Sequence, residues 1–111
     1  MKNKDPQIFL SHILENARYA QENVRGVDFK TFLKDRKTRD AVVREIEIIG
    51  EAVKNLPMVF RDRHPEIPWK KIAGMRDEIV HEYFDIDWDL VWNVVDKRLP
   101  ELEKQIKELL G

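Results

Sequence analysis

The sequence predicts an all-α protein, an up-and-down bundle of four long helices plus short helical turns. Three observations predict it. Apolar residues recur at gaps of three and four along most of the chain. Sustained two-residue alternation and Asn-Gly or Asp-Gly hairpin turns are absent. The connections between periodic segments are short, as an antiparallel bundle requires. A chain of 111 residues suits one domain, spanning 1–111.

The first helix starts at Asp5, a cap residue, with Pro6 at the first helical position. Its apolar face is Leu10, Ile13, Leu14, Ala17, Ala20 and Val24, and Gly26 is placed as its C-terminal cap. The segment VDFKTFLKD reads as a short helix opened by Asp28. A second long helix runs from about Thr38 to Leu56, where Pro57 stops it. Val42, Ile46, Ile49, Val53 and Leu56 form its seam. PMVFRDRHPEIP carries three prolines and holds at most one helical turn.

Pro68 opens a third long helix through WKKIAGMRDEIVHEYF. Gly74 lies inside that pattern, where a glycine costs about 1 kcal/mol relative to Ala. It is therefore expected to mark a bend or a close helix crossing. DIDWDLVWNVVDKRLPELEKQIKELL forms the last helix, capped near Asp85 or Asp87. Its seam is Val91, Val95, Leu99, Leu102, Ile106 and Leu109. Pro100 should kink it, because the ring removes one hydrogen bond and crowds the preceding turn. Trp88 and Trp92, four apart, read as core or dimer contacts.

Composition narrows the function classes. Hydrophobic residues make up 42 % of the chain, enough for a core, and charged residues 37 %, which fits long solvated helix faces. There is no cysteine, so disulfides, thiolate metal sites and thiol nucleophiles are excluded. The N-terminus lacks the apolar stretch of a signal peptide, and no run reaches the roughly 18 apolar residues that cross a bilayer. A soluble cytoplasmic protein is expected. The net charge of −1 hides an asymmetry. Residues 1–76 carry 16 Lys and Arg against 11 Asp and Glu, whereas residues 77–111 carry 4 against 10. A polyanion could meet a basic patch on such a chain.

The stretch MRDEIVHEYF, Met75 to Phe84, concentrates the chemistry. On a regular helix Arg76 and His81 stand about 140° apart around the axis. Arg76 and Tyr83, seven apart, share a face. Asp77 and His81, four apart, can touch, and the carboxylate would fix the imidazole tautomer. Arg76 and His81 converge on one ligand if the helix bends at Gly74 or if a second copy faces the first across a two-fold axis. Such a cleft has what metal-free RNA cleavage needs. An imidazole takes the proton of the ribose 2′-OH, a second acid protonates the leaving 5′-oxygen, and arginine forks hold the phosphate. An Asp–His pair on a charged helix is also a common surface ion pair, and Tyr83–Phe84 is a common core pattern. HEYFD stands one letter from the zinc pattern H-E-x-x-H, but the second imidazole is missing, so no metal site and no cofactor are expected.

These residues resemble a known family. MRDEIVHEYF reads R-x4-H-x-Y through Arg76, His81 and Tyr83, the signature of the HEPN superfamily and in particular of HepT-like toxin ribonucleases. TRDAVVREIEIIGEAVKNL is similar to that family's second helix, with I-G-E-A at Ile49 to Ala52, and PEIPWKKIAGMRD is similar to the approach to its motif. The likeness runs from about Asp5 to Leu110. It implies a HEPN-like helical bundle that forms a homodimer with the motif in the interface cleft. It implies a metal-independent endoribonuclease toxin of a type VII-like toxin–antitoxin system. Its antitoxin would be a minimal nucleotidyltransferase of the MntA kind, which attaches AMP to the motif tyrosine. By this resemblance Arg76 and His81 are catalytic, Asp77 supports them, and Tyr83 is the AMPylated residue.

Two rival readings stay open. One is a non-catalytic helical module that docks a nucleotidyltransferase or binds nucleotide or RNA, with Arg76 as phosphate anchor. The other is a plain structural or coiled-coil partner, for which the C-terminal heptads are short. For RNA contact the candidates are Lys70, Lys71, Arg36 and Arg39, with Lys34, Lys37, Arg61 and Arg63 nearby in sequence and Trp69 as a stacking surface.

Overall fold

The computed structural model describes residues 5–82 and 85–111, and its core is built by helices on helices. Helix α1 spans Pro6–Asn23, α2 Phe29–Lys34, α3 Arg36–Asn55 and α4 Met58–Asp62. Two five-residue helices follow, α5 Trp69–Ala73 and α6 Met75–Ile79. A two-stranded antiparallel hairpin comes next, β1 Val80–Glu82 and β2 Asp85–Ile86. Helix α7 (Trp88–Asn93), a π-turn (Val94–Arg98) and α8 (Leu99–Leu110) make the last rod.

The caps explain the starts. The Asp5 carboxylate accepts from the Gln7 amide at 2.9 Å, and Pro6 fills the first turn. Asp28 does the same for Thr31 at 2.8 Å, which confirms the short second helix. Asp35 opens α3 by accepting from both the Thr38 amide and the Thr38 hydroxyl. The backbone amide of Thr31 holds the Asp28 carboxyl below the usual range, and the Thr38 hydroxyl does so for Asp35. These caps therefore stabilise the fold above the ordinary carboxylate value and lose their effect as pH falls through the lowered ones. Helix α1 ends at Asn23 with Val24 as its cap residue, and Gly26 takes a φ of +74° in the turn that follows.

The seam of α3 is as expected. Val42, Ile46, Ile49, Val53 and Leu56 are all buried, as are Leu10, Ile13, Ala17 and Ala20 of α1. Helix α1 packs on α3 and α8. Arg18 and Gln21 reach across to Glu103 of α8 at 3.0 and 2.8 Å. Trp88 and Trp92 pack with Phe29 and Phe32 of α2 in one aromatic group, partly buried against the core.

The bundle stands, but its third member departs from the expected long helix. It breaks at Gly74, as a bend was expected there, and stops for good at Ile79. The close crossing belongs to Gly50 instead: a Cβ there would stand 3.3 Å from the Ala73 carbonyl oxygen. Helix α6 ends because Val80 turns extended (φ −112°, ψ 107°) and the Ile79 carbonyl accepts from the Asp87 amide at 2.8 Å, not from a next helical turn. Extended backbone suits the β-branched Val80. His81 thus lies on a strand, and the hairpin is an element that the sequence reading missed.

The last rod is capped by Asp87, which accepts from the Leu90 amide at 3.0 Å. Where a kink was expected at Pro100, the structure has a π-turn, with Pro100 in the first turn of α8. The turn before it widens, and the Leu99 amide donates to the Val94 carbonyl, five residues back. The widening also keeps the seam in phase. From Val91 to Leu99 is eight residues, which at about 100° each would leave Leu99 some 80° off the seam. The π-turn absorbs that angle, and Val91, Val94, Val95 and Leu99 all stay buried. Among the described residues no helix is long and apolar enough to cross a membrane.

Candidate active site

Arg76 is the second residue of α6, and its side chain is half exposed. It does not stand alone. Its Nε donates to Glu47 Oε2 on α3 at 3.0 Å. Asp77 Oδ1 lies 3.7 Å from Nη1, beyond hydrogen-bond length. The other flank of α6 is tied as well, since Arg98 at the end of the π-turn donates to Glu78 at 3.3 Å. Two ion pairs from two different rods thus hold a five-residue helix. Neither Glu47 nor Arg98 carried any signal in the sequence, because both contacts join residues far apart in the chain.

His81 is exposed on β1. The expected Asp77–His81 pair is not made. It required a helix running through both residues, and α6 ends between them at Ile79. Among the described residues the His81 side chain has no hydrogen bond or ion pair, and Asp77 faces Arg76 instead. The strand pairing is irregular, with Val80 opposite Ile86 and Glu82 opposite Asp85. Such a bulge re-aims side chains locally. Arg76 and His81 therefore flank the α6–β1 junction, both open to solvent. Tyr83, the expected modification site, and Phe84 lie outside the described residues.

The basic candidates divide. Lys70 and Lys71 of α5 are exposed and border a recess shared with Met58, Arg61, Pro65 and Trp69. Arg36 pairs with Asp40 at 3.7 Å, and the Arg39 guanidinium stacks over the Trp88 ring at 4.7 Å, so both serve the start of α3. Trp69 is not a stacking platform for a base. It is only 6 % exposed, and its indole N–H donates to the His64 carbonyl at 3.0 Å. A pocket of about 430 Å³ lies behind α6, floored by Ile72, Met75, Leu99 and Leu102, and neither Arg76 nor His81 lines it. A smaller one of about 220 Å³, at the α3–α5 crossing, has Arg76, Glu47, Gly50 and Lys54 in its wall.

Comparison with known proteins gives a consistent answer. A family model described as Ribonuclease HepT-like matches residues 13–109. A "Putative RNase" of Caldanaerobacter subterraneus subsp. tengcongensis is 50 % identical over 107 residues, covering 96 % of each chain. A "Probable ribonuclease HepT" of Thermococcus cleftensis is 43 % identical over 101 residues, covering 91 % of this chain and 92 % of that one. A longer Methanocaldococcus jannaschii protein, "Gamma-glutamylcyclotransferase and putative RNase", is 44 % identical over 107 residues, and the match takes up 48 % of its length. No solved structure gives a significant match.

Proposed function

Because this chain belongs to the HepT-like ribonuclease family, we propose that it is a metal-independent endoribonuclease with Arg76 and His81 at its reactive centre. The observation that carries this reading is their placement. The arginine and the histidine of R-x4-H flank a helix break, both exposed, in a chain whose family is one of ribonucleases. The whole chain, 1–111, acts as one HepT-like domain in the cytoplasm.

In this mechanism the neutral His81 imidazole takes the proton of a ribose 2′-OH. The 2′-oxygen attacks phosphorus, the P–O5′ bond breaks, and a protonated acid supplies the leaving oxygen with its proton. The products are a 2′,3′-cyclic phosphate and a free 5′-OH. Arg76 holds the non-bridging oxygens through the guanidinium fork. Asp77, beside Nη1, supports the arginine. One chain offers one imidazole at this junction, since His64 pairs with Glu66 and packs on Phe60, and His12 belongs to α1. A second copy across a two-fold axis would supply the second acid, which favours a homodimer. Lys70 and Lys71 are suited to hold the flanking backbone.

The regulatory half of the proposal concerns Tyr83. A cognate minimal nucleotidyltransferase antitoxin would attach AMP to its hydroxyl, and the added phosphates would close the cleft to RNA by charge and bulk. The shared helix face expected for Arg76 and Tyr83 does not survive the end of α6 at Ile79. The chain would then be the toxin of a type VII-like pair. The test is incubation of purified chain with labelled RNA in EDTA, followed by end analysis. Cleavage leaving cyclic phosphate ends is expected; 3′-hydroxyl ends, or cleavage that stops in EDTA, would refute the chemistry. Co-expression with the nucleotidyltransferase should silence the wild type and spare Tyr83→Phe, and equal silencing of both would remove the AMPylation step.

A further inference from the structure

We propose that Glu47 is the positioning residue of the reaction, fixing the plane of the Arg76 guanidinium so that its Nη edge meets the phosphate. The inference rests on the ribonuclease role given to Arg76 above. Arginine has many rotamers, and a helix of five residues supplies little rigidity of its own. The guanidinium is planar, with donors on separate edges. Donation of Nε to Glu47 at 3.0 Å uses one edge and leaves the two Nη groups for a bidentate phosphate contact. Glu47 sits on the 20-residue α3, between the buried Ile46 and Ile49, so its backbone is held by core packing. The Arg98–Glu78 pair holds the opposite flank of α6, which keeps the Arg76 backbone from drifting away from Glu47.

This arrangement has a kinetic signature. A carboxylate beside the phosphate site repels RNA in the ground state, while the orientation it imposes matters as the charge on the phosphoryl oxygens grows. Removing Glu47 should therefore lower kcat and leave KM equal or reduced. A smaller folded fraction would also lower the apparent kcat at unchanged KM, so rates are normalised to folded protein, and recovery by Glu47→Gln together with the Arg76→Ala background separates the two.

The test measures kcat and KM of the full chain on a labelled RNA for wild type, Glu47→Ala, Glu47→Gln, Arg76→Ala and the Glu47→Ala/Arg76→Ala double variant, with thermal melts alongside. Glu47→Ala is expected to lose about 10- to 100-fold in kcat with no rise in KM. Glu47→Gln should recover most of that loss, because the amide oxygen still accepts from Nε. In the Arg76→Ala background, removal of Glu47 should change nothing further. The ¹⁵N-detected Arg76 Nε–H signal should be protected from exchange in the wild type and not in Glu47→Ala. An active wild type whose Glu47→Ala variant keeps its kcat, or loses as much again without Arg76, would overturn the role of Glu47 alone. An inactive wild type would overturn the ribonuclease reading itself.

Discussion

His81→Ala is expected to lower RNA cleavage by about 10²- to 10⁴-fold, the range for loss of a general acid–base group. The effect should be chemical and not structural. His81 is exposed on a short strand, and its side chain has no hydrogen bond or ion pair among the described residues. A surface substitution of that kind changes stability by about 0.5 kcal/mol or less. The melting curve should therefore overlay that of the wild type while the cleavage rate collapses. Single-turnover cleavage of a labelled RNA in EDTA, with the melt run on the same samples, reads both. Wild-type cleavage by the variant would end the assignment of His81. Cleavage would then be assigned to other groups of the chain; no cleavage by either protein would instead favour the module reading, with Arg76 as a phosphate anchor.

Phe32→Ala should be the most damaging single change to the fold. Phe32 has no exposure, and its ring centre lies 5.1 Å from that of Trp92, 6.1 Å from Trp88 and 6.5 Å from Phe29. It joins α2 to α7, and Arg39 closes the group by stacking on Trp88. Truncation of a buried phenylalanine costs about 3–5 kcal/mol, against a total stability of about 5–15 kcal/mol for an ordinary domain. The midpoint of thermal unfolding should fall by about 10–25 °C. Phe32→Leu keeps most of the volume and should lose much less. A fall of only a few degrees for the alanine variant would mean that the three remaining rings close over the gap.

The local rules were legible and the non-local ones were not. Asp5, Asp28 and Asp87 were readable as caps, since each needs only an amide two or three residues on. The seams of α1, α3 and α8 followed from spacing alone. The third helix did not, because its end is set by the Asp87 amide binding the Ile79 carbonyl, a contact that no spacing rule contains. That one bond also undid the expected Asp77–His81 pair. The site was half legible. Arg76 and His81 stood out by motif, whereas Glu47 lies 29 residues before Arg76 on another rod. Trp69 was misread for a related reason: its burial depends on the chain around His64 folding back to take its N–H.

The π-turn at Val94–Arg98 has a consequence for how the chain tolerates changes of length. Such a turn holds one residue more than the α-turn it replaces. The last rod therefore carries a spare residue directly before Pro100, whose ring would crowd a regular ladder. A chain shortened by one residue within 94–98, with Pro100 replaced by Ala, should still seat Leu102 and Ile106 against the core. The same deletion in the middle of α3 would turn everything beyond it by about 100° and bring charged residues into the seam. Relatives that differ in length along their last helix should differ first at this turn.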